Sequence, residues 1–183
     1  WGSLVALAFV PLWQMLPAWG YGALILASML FGTMSGSVAA NVAGTGAFTI
    51  PMIKRRGFSP AFAGAVEAAA STGGQVIPPV MGAAAFMMAQ LTGTPYLLIC
   101  VAALLPAFFY VAALFCAVFY EARRQGIKPT PADELPVLTR QDWVLSLMFV
   151  APVITVIGVL ASGRSPAMAG VWAVIVAVVF GFL

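Results

Sequence analysis

Long apolar runs, broken at short intervals by glycine, serine and proline, set the pattern of this chain. Tyr21 to Met34 is one such run; Ser35-Gly36-Ser37 interrupts it, and Asn41 opens another that reaches Ile53. After Lys54-Arg55-Arg56-Gly57, Ser59 is placed to cap a helix with Pro60 at its first position, and alanine-rich sequence continues to Ser71. Gly73-Gly74 and Pro78-Pro79 then break that helix. Two prolines remove two N–H donors, so carbonyls one turn earlier lose their partners. Helix resumes from about Val80 to Gln90, turns at Thr92-Gly93-Thr94-Pro95, and a long span covers Tyr96 to Tyr120. Trp143 to Ala161 and Ala167 to Leu183 are two further apolar helices, with a turn at 162–166.

Runs of this length suit about 30 Å of hydrocarbon, and the period-two alternation of an outer-membrane barrel is absent. The predicted class is all-α: a polytopic membrane protein with a re-entrant helical hairpin and a broken transmembrane helix. Two readings compete for residues 19–53, one long tilted helix or two short helices joined at SGSVAAN. About 35 helical residues would span roughly 50 Å, more than the hydrocarbon, whereas two arms would each reach about the midplane. Geometry favours the hairpin. The organisation that follows is a partial transmembrane segment at 1–18 and a first transport unit at 19–126. That unit holds the hairpin 19–53, the broken helix 59–91 and the long helix 95–124. A cytoplasmic loop at 127–142 and the start of a second repeat at 143–183 complete it.

Composition strengthens this picture. The chain is 63% hydrophobic and 7% charged, with mean hydropathy +1.06, against about 25% charged for a soluble domain. The net charge of +3 comes from basic residues in short loops, which the positive-inside rule explains without nucleic acid. The basic clusters around Arg56 and Arg123 then share the cytoplasmic side, and two crossings lie between them. There is no histidine, which removes histidine acid–base catalysis, Ser–His nucleophiles and most zinc sites. An intramembrane hydrolase using Ser37 or Ser71 would need another base, and no lysine lies inside a span. Cys100 and Cys116 lie on one predicted helix, roughly 24 Å apart along its axis, so no disulfide follows.

The candidate chemistry sits in the two breaks. Half-helix ends and unwound carbonyls near a bilayer midplane build ion and solute sites. In the first break the candidate contacts are Ser35, Ser37, Asn41 and Thr45, with Asn41 and Thr45 an i, i+4 pair. In the second they are Ser71, Thr72, Gly74, Gln75, Ile77 and Pro79. Oxygen ligands without neighbouring carboxylates favour sodium over a divalent ion. Glu67 is the only acid well inside a predicted span. It reads either as a proton or cation relay or as an ion-pair partner of Lys54 or Arg56 near the interface.

The stretches FGTMSGSVAANVAGTGAFTIPMIKRRGF and AGAVEAAASTGGQVIPPVMGAAAFMMAQ resemble the large membrane subunit of tripartite ATP-independent periplasmic (TRAP) transporters, in particular the TAXI branch. The resemblance runs from Phe31 to Gly126. It implies an elevator-type, sodium-coupled permease of a bacterial or archaeal cytoplasmic membrane that imports small organic anions, often carboxylates, and is not an enzyme. Its implied partners are a periplasmic TAXI-type solute-binding protein and a small membrane subunit or its fused equivalent. By resemblance Ser35, Gly36, Ser37 and Asn41 form the hairpin tip, and Gly74, Ile77 and Pro79 offer carbonyls to one sodium ion, which Ser35, Ser37 and Asn41 complete from that tip. The solute contacts are then Gly36, Thr45, Ser71, Thr72 and Gln75; no other cofactor is implied. The family has two inverted halves, of which this chain resembles the first and the beginning of the second. A membrane scaffold that does not transport is the alternative, although a scaffold has no need of two polar breaks.

Overall fold

A computed structural model describes residues 20–127 and 140–181. The expected segment 1–18 and most of the expected loop 127–142 lie outside the described residues. Among the described residues the regular structure is entirely helical: α1 (Gly20–Ser35), α2 (Val38–Arg55), α3 (Pro60–Gly74), α4 (Ala83–Thr92), α5 (Tyr96–Arg124), α6 (Arg140–Ala161) and α7 (Pro166–Gly181).

The polar punctuation of the sequence maps onto the helix ends. α1 stops at Ser35, Gly36 takes φ +60, and Ser37 caps α2 by accepting from the Ala40 N–H. The first break is therefore only two residues long, narrower than SGSVAAN, and Asn41 lies a full turn inside α2. Ser28 on α1 touches both Asn41 and Thr45 on α2, and Ser28 and Thr45 each lie eight residues from the Gly36-Ser37 turn, so the two arms fold back antiparallel. Ser59 caps α3 and Pro60 occupies its first turn, as the sequence predicts. The second break is longer. α3 continues through Gly74, the chain turns over residues 75–82 with a cis Pro78–Pro79 peptide, and α4 starts at Ala83 rather than Val80. Gly82 N–H closes this connection on the Gln75 carbonyl at 3.0 Å.

Two apolar cores follow. The first packs Leu24, Ile25 and Met29 of α1 against Ile53, Val66 and Ala70, and against Val118 and Ala122 near the end of α5. The second packs Met81 and Ala85 against Tyr96, Ile99 and Cys100 at the start of α5, and against Val156 and Leu160 of α6 and Ala169 and Ala173 of α7. α5 belongs to both. It has 29 residues and a mean hydropathy of 2.6 in its most apolar window, and it is the one described helix long and apolar enough to cross a bilayer. Leu24–Ser35, Ala83–Thr92, Phe149–Ala161 and Pro166–Phe180 are shorter apolar helices. Leu104, Leu105, Phe108 and Phe109 of α5 and Val171, Val174 and Val178 of α7 remain exposed.

Candidate functional site

The hairpin turn and the helix break meet through Gln75, at the C-terminal end of α3. Its Nε2 donates to the Gly36 carbonyl at 3.0 Å, while its own carbonyl holds Gly82. Glycine is required on both sides of the contact. A Cβ at Gly36 would lie 2.9 Å from the Met81 carbonyl oxygen, in a residue already at positive φ. One turn down, a Cβ on Gly74 would meet the Gly32 Cα at 2.5 Å, so α1 and α3 touch backbone to backbone. Met81 itself holds φ +62, a left-handed conformation that a side chain disfavours. Ser35 and Ser37 are exposed beside this junction, their hydroxyls bonded to local backbone.

A second polar assembly lies in the bundle, between α1, α2 and α3. Glu67 is 1% exposed, and four hydroxyls surround its carboxyl group. Ser28 Oγ (2.8 Å), Thr45 Oγ1 (2.5 Å) and Ser71 Oγ (3.3 Å) reach Oε1, and Thr49 Oγ1 (2.5 Å) reaches Oε2. Asn41, fully buried, donates one amide proton to the Ser28 carbonyl and one to Ser71 Oγ, both at 2.9 Å. The carbonyl can only accept, so the amide nitrogen must face it. Asn41 Oδ1 is buried without a hydrogen-bond partner among the described residues. Asn41, Thr45 and Thr49 recur every four residues, which puts them on one stripe of α2; Glu67 and Ser71 do the same on α3.

The expected site residues therefore divide into separate environments. Ser35, Gly36, Ser37 and Gln75 gather at the junction, and Gly74 lies one turn from it against Gly32. Asn41, Thr45 and Ser71 belong to the buried assembly instead. Ile77 is half-buried against the first core. The Pro79 carbonyl faces α5, where the Tyr96 hydroxyl spans it (3.2 Å) and the Val80 carbonyl, and the Cys100 thiol approaches at 3.6 Å. Pro78 and Pro79 also border a cavity of about 260 Å³ whose other walls are apolar, among them Leu97, Leu104 and Ile157. Thr72 is exposed and bonds back to the Ala68 carbonyl.

The ion-pair reading of Glu67 is corrected. Among the described residues its partners are the four hydroxyls rather than Lys54 or Arg56, and the side chain lies within the bundle. Neither serine of the hydrolase reading is placed as a nucleophile: Ser37 serves as a helix cap, and Ser71 is fully buried between Asn41 and Glu67. The sequence marks none of Ser28, Thr49 and Tyr96 as a site residue. Extending the Asn41–Thr45 pair by four residues finds Thr49. Ser28 has no such signal, being one serine in an apolar run.

A family model described as the DctM component of the tripartite ATP-independent periplasmic transporter matches residues 19–183. Among curated proteins, the chain is 34% identical over 100 residues to an uncharacterized protein, YgiK, of Salmonella typhimurium, covering 55% of this chain and 23% of that one. It is 32% identical over 124 residues to the C4-dicarboxylate TRAP transporter large permease protein DctM of Pseudomonas aeruginosa, covering 68% of this chain and 27% of that one. An uncharacterized protein, y4mL, of Sinorhizobium fredii is 28% identical over 109 residues, which is 60% of this chain and 26% of that protein. The chain spans about a quarter of the length of these relatives.

Proposed function

The chain belongs to the family of the DctM component of tripartite ATP-independent periplasmic transporters, and on that premise we propose that it forms one portion of a sodium-coupled permease for small organic anions. The family is one of transporter membrane components, not of enzymes. In this reading the permease sits in the inner membrane and crosses it several times. The hairpin α1–α2 is re-entrant and moves with the broken helix α3–α4 in an elevator cycle. A periplasmic binding protein delivers the solute, a small membrane subunit or a fused equivalent completes the complex, and the system is one of the TAXI branch, which the motifs resemble. A carboxylate solute agrees with the C4-dicarboxylate named for the Pseudomonas relative.

The observation that supports this most directly is the Gln75–Gly36 bond, which holds a helix break against a hairpin turn. Around it lie the hydroxyls of Ser35 and Ser37 and the backbone of Gly74 to Ile77, oxygen donors without a fixed cation, as sodium prefers. We assign sodium and solute to this junction. Asn41, with both amide protons committed, positions the hairpin arm, and the Pro79 carbonyl, capped by the Tyr96 hydroxyl at 3.2 Å, keeps a second lone pair for the ion. No Arg or Lys lies in either break, so an anionic group is held here by N–H dipoles, hydroxyls and sodium.

The deciding experiment is solute uptake into proteoliposomes by the intact permease with its binding protein, using C4-dicarboxylates first. Uptake is expected to require a sodium gradient. Equal uptake with sodium replaced by a large organic cation rules the coupling out.

A further inference from the structure

We propose that Glu67 is a proton-binding site whose loading and release accompany uptake. The cage around it accommodates both protonation states. With Glu67 ionised, the hydroxyls of Ser28, Thr45 and Ser71 donate to Oε1 and that of Thr49 to Oε2, so every carboxylate oxygen is served. With Glu67 neutral, the proton sits on Oε2 and is donated to Thr49 Oγ1. The Thr49 hydroxyl proton then turns to the Thr45 carbonyl, already 3.1 Å away. Thr45 has the same alternative in the Asn41 carbonyl at 2.9 Å. Neither state leaves a buried donor without an acceptor, so the cage can hold the carboxyl group with or without the proton.

The surroundings point to a proton as the occupant. An isolated buried carboxylate is costly to hold without a counter-charge, and the helices packed on α3 supply none. α1 contributes Ser28. α2 contributes Asn41, Thr45 and Thr49, and its Lys54 and Arg55 are exposed at the far end. α5 presents Tyr110, whose hydroxyl is donated to the Ala69 carbonyl. Contacts of 2.5 to 3.3 Å between hydroxyls and carboxyl oxygens are direct, and a proton needs no further room. Loading joins one proton from water to Oε2, and release returns it; no electrons are transferred. The cage takes its members from both arms of the hairpin and from the half of the broken helix that ends at Gln75. A change of protonation therefore reorders bonds inside the unit that the transport reading requires to move.

Acid-minus-alkaline infrared difference spectra of the intact permease in lipid, at constant sodium, test the site. Wild type is expected to show a carboxylic C=O band that Glu67→Gln lacks; identical carboxyl bands in the two overturn the proposal. Where Glu67→Gln fails to assemble, Thr49→Val keeps the carboxyl group and removes its Oε2 partner. The band is then expected to move in frequency, and an unmoved band overturns the proposal equally. The part in uptake rests on the transport reading and is read separately, as rate against pH at saturating sodium. The pH-dependent component of wild type is expected to be lost in Glu67→Gln, and the same profile in both overturns the coupling. Sodium-independent uptake strikes only the sodium reading.

Discussion

Gly32 and Gly74 face each other so closely that a methyl group on Gly74 would lie 2.5 Å from the Gly32 Cα. The neighbour is backbone and cannot rotate aside, so Gly74→Ala must push α1 and α3 apart. Overpacking of this kind costs about 1–3 kcal/mol. We predict a lower unfolding temperature for Gly74→Ala in detergent, and loss of uptake, because the parting helices carry the Gln75–Gly36 contact. Unchanged stability would show that the helices are farther apart than described.

Gln75→Ala removes the side-chain bond that, among the described residues, joins the break to the hairpin turn, without touching a core. A single neutral hydrogen bond is worth about 1 kcal/mol, so the variant is expected to insert and fold nearly as wild type. Uptake should fall several-fold, with a raised sodium requirement. Wild-type sodium dependence in Gln75→Ala would move the site away from this junction.

Ser28→Ala deletes the Ser28 donor to Glu67 and leaves its backbone carbonyl, which Asn41 needs, in place. Oε1 keeps the Thr45 and Ser71 hydroxyls, so the loss is that of one hydrogen bond, about 1 kcal/mol. Chemical denaturation should register that loss, and Ser28→Thr, which restores a hydroxyl, should recover part of it. Equal stability of Ser28→Ala and wild type would mean that the other hydroxyls suffice.

Tyr96→Phe keeps the ring that stacks on Phe86 at 4.7 Å between centroids and removes the hydroxyl that covers the Pro79 and Val80 carbonyls. We expect about 1 kcal/mol of destabilisation and faster amide exchange across residues 75–82. Exchange at the wild-type rate would show that the hydroxyl does not hold the break.

The backbone breaks were legible because glycine and proline act locally: Gly36 permits a positive φ, and Pro78-Pro79 cannot continue a helix. Their extents were not. SGSVAAN shrank to a two-residue turn because Ala39 and Ala40 are good helix formers and Ser37 caps the arm. The second break shifted to 75–82 because a glycine pair does not by itself end a helix that packs against Gly32. The Asn41–Thr45 stripe could be read from spacing, but its meaning could not. Glu67 draws its partners from positions 4 to 39 residues away on three helices, and a single sequence does not show which faces meet.

The two cores share α5 as two supports share a beam. One support grips Tyr96 to Ala103, the other Tyr110 to Ala122, and Pro106 falls in the free length between them. Proline withholds the N–H that would brace the Ala102 carbonyl, so the beam is weakest where neither support holds it. Bending is expected to concentrate there, with the buried Glu67 assembly carried whole on one side and the Tyr96 contact with the helix break on the other. Pro106→Ala should stiffen the beam, and slower turnover at unchanged solute affinity is the outcome that checks it.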